Sequence, residues 1–471
     1  MPGVSTQIQQ KRSMSQETIF RNYDIRGVYG HNLTEDIVYR VAHAYAAYAH
    51  PQSVVVGYDA RVSSPSLTDA LVRGLLERGI SIIDIGMVST DAMYFAAWFY
   101  GYDGGVMVTA SHMPKQFNGL KFLRLDERGV LSPIGRGLGM EDLERLALSD
   151  AIVEKKSVPG TTAKKDIWDD FVHFTRSFID VGRLKPFRIV MDAGNGMGGV
   201  VARKIFAGLP VEIIPLYFEP DGTFPNHPAN PIEEENRRDI MRRVVEERAD
   251  LGIAWDADCD RVYFIDETGA YVHGDFVATL LALEMLEKHP GGGIVYDLRF
   301  SRALNDWVAK AGGKAHMGRV GHTYIKHQMN ETQSIFGGEV SGHYYFAKNR
   351  YMENGFAPVL LLLAALSKKG KTLSEMVQDL GPYYISGEIN FDVTDASLVI
   401  AAIREAYAGK GGKILTLDGV SMEYPEWHFN VRPSANDPVV RLTVEASSQS
   451  LLEEKTRELT ALIRQYTRAG A

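Results

Sequence analysis

The sequence is poor in three features that define whole classes of protein: cysteine, long apolar runs and excess positive charge. Its 471 residues contain one cysteine, Cys259, so no intramolecular disulfide can form, which favours a reducing compartment. No apolar run approaches the ~20 residues of a membrane span. Residues 1–18 lack the apolar core of a signal peptide. We therefore expect a cytoplasmic protein with no membrane partner and a flexible tail over residues 1–18.

The charge balance narrows the class of ligand. Lysine and arginine number 51 against 59 aspartate and glutamate, which argues against a dedicated nucleic-acid-binding protein. Local basic pockets for an acidic small molecule remain compatible with this balance. Neither composition nor motif bears on the oligomeric state.

Three short β-branched runs, each ending in aspartate, suggest a repeated fold. They end at Asp59, Asp192 and Asp297, and each precedes a loop and a helical pattern. Such alternation is typical of βαβ units around a mainly parallel sheet. We predict three α/β domains of similar plan, at residues 19–155, 156–258 and 259–369.

The last hundred residues follow another pattern. Beyond residue 370, strand-like and helix-like segments no longer alternate regularly. This predicts a fourth, α+β domain over 370–471. Its last segment is amphipathic, and we expect a helix with Ser450 as its N-cap.

The segment TASHMPKQFNGLK, residues 109–121, crowds polar groups behind the apolar run GGVMV. Ligands of open α/β sheets bind at the carboxyl ends of strands, where Ser111 would lie. A serine hydrolase is disfavoured, because G-x-S-x-G is absent and His112 need not reach its neighbour's hydroxyl. A polar loop remains one interpretation. The other is a serine that carries and donates a phosphoryl group, with His112 and Lys121 balancing charge or moving protons.

The segment DADCDR follows another apolar run and suggests a metal site. On an extended backbone Asp256, Asp258 and Asp260 would share one face. Three adjacent carboxylates repel unless a cation neutralises them, and hard oxygen ligands suit Mg²⁺. An EF-hand is disfavoured because Arg261 replaces the glycine at position six. A solvated acidic turn is the remaining alternative.

Two glycine-rich or turn-like segments carry candidate binding residues. In GGEVSGH, Glu339, Ser341 and His343 alternate and suit the hydroxyl groups of a sugar, although a plain glycine-rich turn fits equally well. In RPSANDPVVR, Arg432 offers a planar fork for phosphate oxygens, and Ser434 with Asn436 would add neutral donors. An Asx-type turn is the alternative there. Two further candidates are Arg26 in YDIRG and His322 in GHTYIK.

Taken in order along the chain, YDIRG, TASHMP, DADCDR, GGEVSGH and RPSANDP resemble the motifs of the α-D-phosphohexomutase superfamily. The resemblance covers nearly the whole chain. It is strongest to the bacterial and archaeal phosphomannomutase/phosphoglucomutase enzymes. It implies four domains around a deep central cleft, the first three of mixed α/β plan.

The resemblance also implies roles for individual residues. Ser111 matches the phosphoserine, which also contributes to the metal site. The magnesium ligands match Asp256, Asp258 and Asp260, and Arg261 follows them. Positioning or proton transfer is implied for Arg26, Lys121 and His322, and we add His112 because it adjoins Ser111. Sugar binding is implied for Glu339 and Ser341, and phosphate binding for Arg432, Ser434 and Asn436. We also expect Arg261 and His343 to bind the substrate, His343 because it alternates with Glu339 and Ser341.

The implied reaction interconverts hexose 6-phosphate and hexose 1-phosphate, with mannose or glucose as the sugar. It passes through a phosphoserine enzyme and a hexose 1,6-bisphosphate intermediate, with Mg²⁺ as cofactor and sugar phosphates as the small-molecule partners. Phosphoglucosamine mutase is the alternative within the family. A metal-dependent sugar phosphatase and a non-catalytic sugar-phosphate-binding protein are the alternatives outside it.

Some positions depart from the family pattern. Met113 stands where asparagine is usual, and the phosphate loop has Ala435 and Asn436 where asparagine and threonine are common. Val340 stands where phosphomannomutases often carry methionine and phosphoglucosamine mutases glutamine, so its apolar side chain favours the former.

Overall fold

The computed structural model describes residues 18–149, 155–433 and 439–467. The expected tail, apart from Thr18, lies outside these ranges, and so do Ser434 and Asn436. The described chain forms four successive domains, or layers, each built on one β-sheet. In these ranges, no helix combines the length and the apolarity needed to cross a bilayer.

The first layer is a seven-stranded sheet in the order β1-β5-β4-β2-β3-β7, with β6 beside β5. Its strands are β1 (Ile25–Val28), β2 (Ser53–Tyr58), β3 (Ser81–Met87), β4 (Gly104–Val108), β5 (Phe117–Leu125), β6 (Leu131–Pro133) and β7 (Thr162–Lys164). Its helices are α1 (Glu35–Ala49), α2 (Ser64–Glu77), α3 (Thr90–Phe99) and α4 (Met140–Leu148). The apolar run of β2 is buried on both faces, as expected of a central parallel strand.

The second and third layers repeat this plan with smaller sheets. The second contains α5 (Trp168–Arg176), β8 (Phe187–Asp192), α6 (Gly198–Ile205), β9 (Val211–Leu216), α7 (Glu234–Glu247), β10 (Leu251–Trp255), β11 (Val262–Ile265) and β12 (Tyr271–Val272). The third contains α8 (Gly274–Lys288), β13 (Gly293–Asp297), α9 (Arg302–Lys310), β14 (Lys314–Gly318), α10 (His322–Thr332), β15 (Phe336–Gly338), β16 (Tyr344–Phe346), α11 (Ala357–Lys369) and α12 (Leu373–Leu380).

All three layers share a parallel trio of strands followed by one antiparallel strand. The central strands of the trios are β2, β8 and β13. Asp59, Asp192 and Asp297 therefore lie at equivalent carboxyl ends, which explains the repeat in the sequence. In each layer the third strand of the trio turns into its antiparallel neighbour: β4 into β5, β10 into β11 and β15 into β16.

The fourth layer is an antiparallel sheet with its own apolar core. It contains β17 (Tyr384–Ile385), β18 (Ile389–Asp392), α13 (Ala396–Tyr407), β19 (Lys413–Leu415), β20 (Val420–Glu423), β21 (Trp427–Pro433), β22 (Val439–Ala446) and α14 (Gln449–Arg464). The predicted α+β class is confirmed. The expected N-cap of α14 was wrong: Ser448 accepts from the Leu451 N–H, and Ser450 already lies inside the helix.

The structure places the three domain joins later than the sequence suggested. Strand β7 pairs with β3 in the first sheet. Strands β11 and β12 extend the second sheet, because DADCDR is the turn of a hairpin and not a linker. Helix α12 packs into the core that the first three layers share. Joins at residues 155, 258 and 369 therefore fall inside structural units.

Candidate active site

The three motif-bearing loops occupy the same position in the three repeated layers. Ser111 lies on the β4–β5 connection, the aspartate cluster on β10–β11, and Glu339 with His343 on β15–β16. Each loop leaves the carboxyl end of a parallel strand, which is where α/β sheets bind ligands. The repeated topology thus gathers segments that lie far apart in the sequence.

Ser111 is buried and its backbone is strained. Its φ of 53° is in the left-handed region that non-glycine residues rarely adopt, and such strain clusters at functional sites. The Oγ donates to Asp256 Oδ2 at 2.7 Å and lies 3.2 Å from His112 Nδ1. The serine hydroxyl is therefore aimed at the aspartate cluster of the next layer.

A buried arginine that sequence reasoning missed braces this loop. The Arg61 guanidinium donates to four backbone carbonyls, those of Ser111, Met113, Pro114 and Phe117. It also pairs with Asp59 at 3.2 Å. The signal was present, since Asp59 was recognised as a strand end and Arg61 follows it by two residues. The third layer repeats the pair: Arg299 Nη2 lies 2.7 Å from Asp297 Oδ2.

Asp256, Asp258 and Asp260 converge, with one carboxylate oxygen of each within 4.8 Å of the others. The predicted convergence is seen, but its predicted cause was wrong. Strand β10 ends at Trp255, and the aspartates lie on a tight turn with Cys259 at φ 61°. The loop therefore curls the carboxylates together, whereas an extended strand would only have aligned them.

The cluster fits a divalent cation. Asp258 Oδ1 is buried without a hydrogen-bond partner, a costly state that an ion would relieve. The Lys121 ammonium supplies positive charge: it donates to Asp258 Oδ2 at 2.7 Å and also to Asp260. An all-oxygen donor set suits Mg²⁺ or Ca²⁺ better than a softer metal.

The pKa values reflect this crowding of charge. Burial and the carboxylates of Asp260 and Asp258 raise the pKa of Asp256 well above its usual value. Burial acts on Asp260 in the same direction, but Lys121 and His343 hold the pKa of Asp260 well below its usual range. The raised pKa of Asp256 therefore reports repulsion between the carboxylates of the cluster, which a bound cation would relieve.

His343 joins the sugar-loop candidates to the aspartate cluster. Its Nε2 lies 3.4 Å from Asp260 and its Nδ1 lies 3.3 Å from Glu339. Although burial opposes it, these two carboxylates raise the pKa of His343 to about 9. Ser341 Oγ is 3.1 Å from His343 Nδ1. The tight turn between β15 and β16, with Gly342 at φ 89°, brings the alternating residues together.

His322, at the start of α10, is held in the opposite charge state. Burial and the ammonium of Lys326, 3.3 Å from His322 Nδ1, lower the pKa of His322 well below its usual value. Lys326 is in turn paired with Glu353 at 2.7 Å. His322 is therefore neutral near pH 7.

One cavity of about 170 Å³ collects most of the predicted residues. Its lining includes Arg26, His112, Lys121, Asp260, Arg261, His322, Glu339, Ser341, His343 and Arg432. Ser111, Asp256 and Asp258 are buried beside it. A neighbouring cavity of about 600 Å³ shares His112, Arg261, Arg299 and Arg441 with it. Together the two cavities form a cleft that residues of all four layers line.

The fourth layer contributes positive charge to this cleft. Arg432, near the end of β21, lies beside Arg441 of β22 and Arg299 of the third layer, and all three line the cavity. Sequence reasoning identified only Arg432. Arg441 ends the segment RPSANDPVVR and meets Arg432 through the pairing of β21 with β22, which the sequence alone did not show. Arg299 had no local motif to mark it, because it meets Arg432 only through the packing of two layers. Ser434 and Asn436 lie outside the described residues, so their predicted roles remain predictions.

Four family models match the chain in order. They are described as phosphoglucomutase/phosphomannomutase α/β/α domain I (residues 17–133), domain II (169–269), domain III (273–384) and the C-terminal domain (388–461). The boundary between domains II and III, and the boundary between domain III and the C-terminal domain, lie within a few residues of the joins that the sheets define.

Relatives match over nearly the full length. A phosphomannomutase of Salmonella typhimurium is 39% identical over 96% of this chain and 100% of its own. A phosphomannomutase of Escherichia coli is 38% identical with the same coverage. A solved phosphoglucomutase/phosphomannomutase family protein from Burkholderia thailandensis is 31% identical, has a TM-score of 0.84 and covers 95% of this chain and 97% of its own. The chain thus belongs to the phosphoglucomutase/phosphomannomutase family of the α-D-phosphohexomutase superfamily.

Proposed function

We propose that the protein is a phosphohexomutase that interconverts hexose 6-phosphate and hexose 1-phosphate, with mannose or glucose as the sugar. One observation carries the proposal: Ser111, whose backbone is strained, faces three clustered aspartates at a cleft. The same cleft is lined by the sugar-suited loop of Glu339 and Ser341 and by the arginine cluster of Arg299, Arg432 and Arg441. A phosphatase would need the serine and the metal site but no second phosphate clamp. A non-catalytic binder would need the clamp but not Ser111. The single cysteine suits a cytoplasmic location.

The proposed cycle begins with a phosphoryl group on Ser111. The Oγ–P bond breaks as a bond forms between phosphorus and the free O1 or O6 of the bound hexose monophosphate. The proton of that hydroxyl passes to His322, which is neutral and lines the cleft. Lys121 and His343 are less suited to accept it because both stay protonated among carboxylates. In the return step the other phosphoryl group of the hexose 1,6-bisphosphate moves to the Ser111 Oγ, and the sugar oxygen that it leaves takes the proton back from His322.

Mg²⁺ is the proposed ion for the aspartate cluster. Asp256, Asp258 and Asp260 would hold it together with an oxygen at Ser111. When bound, the ion supplies positive charge against the oxygens of the transferring phosphoryl group. Arg26 and Arg261 border the same space and would orient the reacting phosphate.

The bisphosphate must turn around between the two transfers. The neighbouring cavity of about 600 Å³ offers room for that rotation. The fourth layer has its own core and could move as a unit, closing the cleft during transfer and excluding water. Glu339 and Ser341 would bind sugar hydroxyls in both orientations.

A coupled assay tests this proposal. Purified protein with Mg²⁺ and a trace of glucose 1,6-bisphosphate is given mannose 1-phosphate, glucose 1-phosphate or glucosamine 1-phosphate. We expect 6-phosphate products from the first two, because Val340 is apolar as in phosphomannomutases. Turnover restricted to glucosamine 1-phosphate would favour the phosphoglucosamine mutase alternative. Release of inorganic phosphate without isomerisation would establish a phosphatase instead.

Replacing Arg432 with lysine is expected to raise KM about 10-fold for 1-phosphate and 6-phosphate substrates alike, because lysine keeps the charge but loses the two-pronged match to phosphate. Phosphorylation of Ser111 should be unaffected. Steady-state kinetics in both directions measure the effect. Arg302→Lys is the matched control, since Arg302 bridges to Glu423 between the same two layers but away from the arginine cluster. A KM defect confined to one direction would contradict a shared clamp.

A further inference from the structure

Glu388 lies where the three clustered arginines converge. Its Oε2 is 2.9 Å from Arg432 Nη2 and 3.4 Å from Arg299 Nη1, and its Oε1 is 3.0 Å from Arg441 Nη1. One carboxylate therefore contacts three guanidinium groups from two layers. Although burial opposes it, these arginines lower the pKa of Glu388 to about 2.

The arginines need an anion to stay together. Arg432 and Arg441 are direct cross-strand partners of β21 and β22, and like charges opposite one another destabilise a sheet. Arg299 adds a third positive charge, fixed by its pairing with Asp297. Burial and the charge of Arg299 lower the pKa of Arg432, which shows the strain of this crowding.

The backbone around Glu388 is well placed to fix its carboxylate. Glu388 immediately precedes β18, on the segment that connects the third layer to the fourth. Two residues earlier, Ser386 bonds through its N–H and its Oγ to the backbone of Val444 in β22. The segment that carries Glu388 is thus hydrogen-bonded to β22, the strand that also carries Arg441.

We propose that Glu388 is a positioning residue that holds Arg299, Arg432 and Arg441 converged across the joint between the third and fourth layers, so that the sugar phosphate meets a preformed clamp. This inference rests on the proposed function, because it assumes that the arginines bind the non-reacting phosphate. Pre-organisation lowers the cost of ordering charged side chains at the moment of binding.

The test is Glu388→Gln, which keeps the size of the side chain and removes its charge. We expect KM to rise about 10-fold in both reaction directions with kcat changed less than about twofold, since a pre-organising residue acts on binding. Glu388→Asp, which keeps the charge, should recover part of the loss. It also serves as the second variant if the glutamine form does not fold.

The matched control is Glu423→Gln. It removes the ion pair with Arg302 between the same two layers, and a second one with His428 inside the fourth layer, without touching the three clustered arginines. A general loosening of the joint would raise KM in both variants, and that result would overturn the inference. An unchanged KM in Glu388→Gln would also overturn it.

Calorimetric titration with inorganic phosphate provides a readout that needs no turnover. Weaker phosphate binding by Glu388→Gln than by wild type supports the inference. Equal or tighter binding would mean that Glu388 is neutral or competes with phosphate, and would refute it. If the wild-type protein shows no mutase activity, the proposed function is refuted but the role of Glu388 is not. The phosphate titration still decides that role.

Discussion

Replacing Ser111 with alanine is expected to abolish mutase turnover, with a loss of about a thousandfold or more, because no other group can carry the phosphoryl intermediate. The Oγ of Ser111 lies against Asp256 and His112, the position a transferring phosphoryl group requires. Peptide mass spectrometry of wild-type protein should locate a phosphoryl group on Ser111. The coupled assay measures the loss.

The control for this substitution is Ser341→Ala, which removes another serine from the same cleft. That variant should keep its phosphoryl group on Ser111 while its KM changes, since Ser341 belongs to the sugar-suited loop. Full turnover in Ser111→Ala would contradict a phosphoserine mechanism. The same conclusion would follow if the phosphoryl group were found on Ser341 or elsewhere.

Local patterns in the sequence were enough to predict the elements that place the site. Strand ends are marked by apolar runs followed by polar residues, so Ser111 and the aspartates could be assigned to loops at one edge of a sheet. The three runs ending in aspartate revealed a repeat because each central strand is buried on both faces. These signals depend on neighbours within about ten residues.

Features that depend on distant partners were missed. DADCDR was interpreted as the end of a domain, because nothing local shows that β11 returns to pair with β10. Arg299 reaches Glu388 only after two layers pack, and Arg441 reaches it through the pairing of β18 with β22, which no local pattern shows. A glutamate before a strand looks like ordinary surface charge. The left-handed φ of Ser111 is likewise set by its loop and braced by Arg61, not by residue type.

Replacing Asp258 with asparagine is expected to reduce activity by about a thousandfold or more while leaving the fold intact, because an amide cannot supply the negative charge that holds a divalent cation. Asp258 Oδ2 accepts from Thr90 Oγ1 at 2.6 Å, Thr109 Oγ1 at 3.1 Å and Lys121 Nζ. The amide oxygen can keep these bonds. The amide NH₂ then replaces Oδ1, the oxygen without a hydrogen-bond partner, which is the one free for a metal.

The stability change should be small, because two effects oppose each other. The substitution relieves repulsion with Asp256 and Asp260 but weakens the pairing with Lys121, so the free energy of unfolding should shift by no more than about 1–2 kcal/mol. Asp266→Asn is the matched control: Asp266 accepts from Thr268 and Ala270 in a turn of the same layer, a role that asparagine can fill.

Thermal unfolding with and without Mg²⁺ separates metal binding from catalysis. Wild-type protein and Asp266→Asn should gain melting temperature when Mg²⁺ is added after chelation, because an ion that binds only the folded state stabilises it. Asp258→Asn should gain little, and its activity should not return at high Mg²⁺. If exhaustively chelated wild-type protein turned over at its full rate, the aspartate cluster would have no metal role. If Asp258→Asn showed the wild-type Mg²⁺ shift, the ion would bind elsewhere.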